Sequence, residues 1–100
     1  MIRFATAAAL AFVAAPAFAQ ETKEESCALQ AQVVAAVQQA RLDRVKEREV
    51  RDHILAQSPT WPEKYNNAIP LIAPWVYEQP RRTIRNESLS DAWSELCLQQ

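Results

Sequence analysis

The sequence predicts an all-α fold, a small bundle of about four helices, one of them kinked by proline, closed by a single disulfide. Apolar residues recur at helical spacing through most of the chain, with no strand-like alternation, hairpin dipeptide or internal repeat. Thr22-Lys23-Glu24-Glu25, Thr60-Trp61-Pro62-Glu63 and Ser88-Leu89-Ser90-Asp91 each resemble a capping box ahead of an apolar run. Cys27 and Cys97 lie near the two ends of a chain whose first residues look like an export signal.

That signal comprises a basic start at Arg3, an apolar run from Phe4 to Ala15, and Ala17 and Ala19 in an A-x-A pattern. Cleavage is expected after Ala19, so residues 1–19 form a signal peptide and 20–100 the mature helical domain. A transmembrane anchor would need roughly 20 apolar residues. The run is too short and stops at Pro16, so no membrane-spanning segment is expected after cleavage. Glu25-Ser26 ahead of Cys27 also departs from a lipoprotein pattern. The expected location is the periplasm, an oxidising compartment in which the two cysteines pair. Closing a loop of about 70 residues stabilises a chain by roughly 4.4 kcal/mol in the chain-entropy picture. A domain this small needs such a staple.

The first helix begins behind Thr22 and carries a stripe of Leu29, Val33, Ala36 and Ala40, broadened by Ala31, Val34 and Val37. The gap between Val45 and Val50 is out of phase with a 3.6-residue period, which predicts a break near Asp43–Lys46. The chain contains no glycine, so a left-handed residue at the break must carry a side chain; Arg44 is the candidate. A second helix follows from about Glu47 to Gln57, ended by Ser58-Pro59. Thr60 is read as the next N-cap, with Pro62 in the first turn and Glu63 closing the box. Ala68, Ile69, Ile72 and Val76 continue at helical spacing, and Pro70 and Pro74 predict a kink or two short helices joined near Ile69-Pro70. Arg81–Arg85 shows no clean period and reads as a connector. The last helix, about Leu89 to Leu98, presents Leu89, Ala92, Trp93, Leu96 and Cys97 on one face.

Function is less legible. Removing residues 1–19 leaves ten basic residues against twelve acids, a balance that does not suit nucleic-acid binding. The absence of glycine excludes glycine-dependent phosphate and dinucleotide loops. His53, the single histidine, has no nucleophile placed beside it by sequence, and no metal-ligand spacing or cofactor motif occurs. No catalytic residue is assigned and a non-enzymatic role is expected. The interleaved acids and bases from Arg41 to Asp52 read as a solvated helix face laced with ion pairs. The suggestive residues are Trp61, Tyr65, Trp75 and Tyr77, clustered with prolines, and the basic pair Arg81 and Arg82 with Arg85 nearby. Rigid aromatic rings anchor interfaces and also fill cores. The core reading is favoured for Trp75 and Tyr77, and the two readings balance for Trp61 and Tyr65. The arginine cluster is a solvated connector or a contact for an acidic partner or anionic headgroup. Asn86-Glu87-Ser88 matches a glycosylation sequon, a short and weak motif.

Cys27, Arg41, Val50, Val76-Tyr77-Glu78-Gln79-Pro80 and Trp93 through Cys97 together resemble the pattern of small exported proteobacterial proteins without a known activity. Arg44 and Lys46 stand where such proteins often carry glycine and a small cap. More distantly the chain is similar to periplasmic acid-stress chaperones, which are small, helical and bridged once, with cysteines enclosing a shorter loop. That likeness implies loosening at low pH as carboxylates protonate. The expected role is a periplasmic binding protein with an unidentified protein partner, the alternative an acid- or stress-responsive chaperone.

Overall fold

The computed structural model describes residues 21–100. The expected signal peptide and its cleavage point lie outside the described residues. Among the described residues the fold is all-α: α1 (Lys23–Leu42), α2 (Val50–Leu55), α3 (Ile69–Glu78), α4 (Arg81–Asn86) and α5 (Leu89–Leu98), with 3₁₀ helices at Glu47–Glu49 and Glu63–Ala68. None of these helices is long and apolar enough to cross a membrane.

The long helix α1 is the spine. Thr22 Oγ1 accepts from the Glu25 amide at 3.1 Å, the cap its sequence promised, and Glu24 and Glu25 occupy the first turn. Cys27, Val33, Val34, Val37 and Ala40 are buried along one side of it. Against that side pack α5 and α3, with α2, α4 and the second 3₁₀ helix completing the enclosure. The core joins the α1 stripe to Val50, Ile54, Ile69, Ile72, Val76, Ile84 and Leu89. Cys27 and Cys97 are bonded, with their Cα atoms 5.7 Å apart, and tie α1 to α5. The Lys23 ammonium donates to the Gln100 carbonyl at the same end.

The break after α1 falls where the phase slip placed it. The Arg44 amide donates to the Arg41 carbonyl and the Val45 amide to the Ala40 carbonyl, each at 3.0 Å. These are the two bonds of a Schellman cap, whose left-handed position is normally glycine. Arg44 occupies it at φ 62°. Ser58 is a second left-handed residue, at φ 52°.

Three expectations are corrected. The segment after the break is a short 3₁₀ helix followed by α2, and α2 ends at Leu55. Thr60 does not cap: Pro62 is the cap residue of the second 3₁₀ helix, without a side-chain bond. Of the two outcomes expected at the prolines, the second holds: two short helices, the 3₁₀ helix and α3, meet at Ala68–Ile69, Pro70 falls in the first turn of α3, where no amide donor is required, and Pro74 lies within α3. Arg81–Asn86 is helix α4 rather than a connector. Six residues with one buried apolar side chain, Ile84, are too few to show a period.

Candidate functional site

A cleft of about 760 Å³ opens between the turn after α1 and helix α4, with the end of α3 beside it. Its lining includes five cations, Arg41, Arg44, Lys46, Arg81 and Arg85, against one carboxylate, Glu47. Leu42, Val45, Tyr77 and Ile84 supply the apolar surface.

Each wall is fixed by specific bonds. Arg41 Nη1 donates to the Val76 carbonyl at 2.6 Å, taking up an acceptor near the C-terminus of α3 where positive charge is favoured. The Arg41 guanidinium carbon lies 5.7 Å from the centroid of the Tyr77 ring. The Tyr77 hydroxyl donates to the Val45 carbonyl at 2.5 Å and so pins the turn to α3. Burial pushes the Tyr77 phenol above its ordinary pKa, an effect Arg41 opposes and Glu47 assists. The other wall depends on Gln38. Its Nε2 donates to the carbonyls of Ile84 and Glu87, each at 2.8 Å, and its Oε1 accepts from the Leu89 amide at 3.1 Å. One side chain on α1 thereby holds the end of α4 and the start of α5, which Ser88 Oγ also caps by accepting from Asp91.

Among the described residues, which include all twelve carboxylates of the chain, the one ion pair within 4.0 Å is Lys64–Glu21. The ion-pair lacing expected over Arg41–Asp52 does not form. The turn and the 3₁₀ helix break the single helix face that would have aligned those charges.

The six expected surface residues are not brought together. Trp61 is 9% exposed and its indole N–H donates to Asn66 Oδ1 at 2.8 Å. Tyr65 is 8% exposed, with its hydroxyl 2.5 Å from Glu21 Oε2 and 3.0 Å from Ser26 Oγ. Both belong to the core, because each polar tip finds a partner that lets the ring be buried. Trp75 is half-buried and packs on Trp93, ring centroids 5.5 Å apart. Tyr77 and Arg81 reach the cleft, whereas Arg82 is exposed outside its lining. His53 is half-buried on α2, its Nε2 3.0 Å from Gln57 Nε2, away from the cleft. Asn86 of the sequon is exposed at the end of α4. No group of three or more potential metal ligands occurs among the described residues. Arg41 at the end of α1 and Arg44 and Lys46 on the turn were read as one solvated face. Their partners Arg81 and Arg85 lie about forty residues on, and nothing local in the sequence joins the two sets.

A smaller pocket of about 420 Å³ is lined by Glu21, Lys64, Tyr65, Leu71, Ile72 and Trp93 among others. Leu71 is 80% exposed at its edge. Leu96, expected on the buried face of α5, is 57% exposed.

The chain matches no family model, no curated protein and no solved structure.

Proposed function

We propose that this protein is a non-enzymatic binding protein, exported to the periplasm, that holds an anionic partner in the basic cleft. The observation that supports this reading is the set of five cationic side chains lining one concave surface with no carboxylate within 4.0 Å of any of them. Gathering like charges is costly for a folded chain and is offset when an anion completes the site. Arginine suits such a role, because its planar fork of donors meets carboxylates and phosphates bidentately. Export follows from the leader-like residues 1–19 and accords with the Cys27–Cys97 bond.

Retention on a sulfonated resin at neutral pH tests the reading. The mature chain is net negative, so capture by a negatively charged matrix requires the local patch. The wild type is expected to be retained at low salt and released as salt rises, and a variant carrying Arg81→Glu and Arg85→Glu to flow through. Flow-through of the wild type would refute the proposal.

The chaperone alternative draws on a different feature, the Glu21 carboxylate that holds Tyr65 and Lys64 at the rim of the smaller, apolar pocket. Its protonation would loosen that rim beside the exposed Leu71. This alternative requires suppression of aggregation below about pH 4, where carboxylates protonate, and none at pH 7.

A further inference from the structure

Building on the reading of the cleft as the binding site, we propose that its ligand carries two phosphate groups separated by an uncharged spacer. The cations divide between two elements. Arg44 and Lys46 flank Val45 on the turn. Arg81 and Arg85 are four residues apart on α4 and therefore share a face. Arg41 gives one donor to the Val76 carbonyl and lies over the Tyr77 ring, which fixes it in the wall with its charge still facing the cleft and leaves these two pairs as the fully free anion-binding groups. Leu42, Val45, Tyr77 and Ile84 line the same cleft, and the Tyr77 hydroxyl is already donated to Val45. Anionic groups are thus satisfied on the turn and on α4, and an uncharged segment fits the apolar lining.

The charge count agrees. Five cations and Glu47 leave four net positive charges. A phosphomonoester carries about −1.5 to −2 at neutral pH, so two of them match that excess. A single phosphate or carboxylate would leave one of the pairs without a counter-charge. The cleft volume of about 760 Å³ also falls within the range, about 300–1,000 Å³, of sites that enclose whole small ligands. An acidic polypeptide fits less well. Its backbone N–H groups need acceptors, and Glu47 is the one carboxylate among cleft side chains that otherwise donate or are apolar.

A soluble bisphosphate and a doubly phosphorylated lipid headgroup share this chemistry, and the experiment separates them. Purified oxidised protein is titrated by calorimetry at neutral pH and physiological salt with fructose 1,6-bisphosphate, glucose 6-phosphate and hexaglutamate. Phosphatidylcholine vesicles doped with phosphatidylinositol 4,5-bisphosphate form the lipid arm. A bisphosphate, soluble or on vesicles, is expected to bind at least about tenfold more tightly than the monophosphate, because the second contact is intramolecular. Changing either pair, Arg44→Gln with Lys46→Gln or Arg81→Gln with Arg85→Gln, should abolish that advantage with an unchanged circular dichroism spectrum. Arg82→Gln, outside the cleft, should keep it. Equal binding of mono- and bisphosphate by a protein that the sulfonated resin retains would overturn the bisphosphate assignment and leave the anion-binding reading intact. Tighter binding of hexaglutamate would overturn it in favour of an acidic polypeptide. Flow-through from the resin with no binding to any probe would remove both.

Discussion

Gln38 shows how much one side chain can organise in a chain without glycine. It meets two carbonyls at the end of α4 and one amide at the start of α5, so the helix carrying Arg81 and Arg85 rests on a residue of α1. Each such bond contributes about 0.5–1.5 kcal/mol net, and a buried partner left unpaired costs more. Gln38→Ala is therefore expected to destabilise the fold by about 2 kcal/mol in urea unfolding, while Gln39→Ala, which removes only an exposed bond to Asp43, should cost far less. Equal effects at the two positions would contradict the role given to Gln38. Glu21 supplies a pH-dependent counterpart. The Tyr65 hydroxyl foremost, and then Lys64, hold its carboxyl below the ordinary glutamate pKa, against an opposing effect of burial. A depressed folded pKa means stability that is present above the unfolded value, about 4.3, and lost as pH falls through the folded one. The stability gap between wild type and Glu21→Gln should accordingly be constant at neutral pH and close below about pH 4. A gap that persists to pH 2 would show that the carboxylate charge is not what matters. Neither residue could be singled out from the sequence, because their partners lie 43 to 51 positions away. Tyr65 was ambiguous for the same reason, since its hydroxyl partner Glu21 is distant in sequence; Trp61's partner Asn66 is only five residues on, but the residue types alone do not say that the turn brings the two together.

At the scale of elements, local chemistry was readable and non-local chemistry was not. Thr22 and Ser88 cap their helices because an N-cap needs only its own next three residues. The break at Arg44 was readable because a phase slip is local too. Helix α4 was not, since it is short and depends on Gln38 for its end. Arg44 also gives a sharp test of the turn. A residue with a Cβ pays about 1–2 kcal/mol in the left-handed region, and glycine avoids that at an entropic loss of about 0.5–1 kcal/mol. Arg44→Gly should stabilise the protein by about 0.5–1 kcal/mol, visible in a domain of this size as a rise of several degrees in Tm. Arg44→Val, β-branched at the same φ, should lower it. If glycine destabilised the protein, the side chain of Arg44 would have to contribute more to the turn than its backbone strain removes. Because Arg44 lines the cleft, the glycine variant should gain stability while losing affinity for anions. The turn has then kept a cation where relief of strain would favour glycine.

Across the whole molecule, α1 is held at both ends by different means. Near its start the Cys27–Cys97 bond and Lys23 attach it to α5; near its end Gln38 and Arg41 fasten it to α4 and α3. Fourteen residues of helix separate Cys27 from Arg41, about 21 Å at 1.5 Å per residue, so the staple and the cleft are spatially distinct. The bond spans 70 positions, which in the chain-entropy picture corresponds to about 4.4 kcal/mol withheld from the unfolded state. Small domains have total stabilities of about 5–15 kcal/mol. Reduction should thus bring the protein close to unfolding at room temperature without altering the native cleft. Urea titrations with and without reductant should differ by about 4 kcal/mol in extrapolated stability. At a temperature where most reduced molecules remain folded, anion affinity corrected for the folded fraction should be unchanged, because nothing in the cleft touches the bridge. A corrected affinity that fell on reduction would mean that the α1–α5 contact sets the position of α4. The staple would then be part of the binding apparatus and not only a constraint on the unfolded chain.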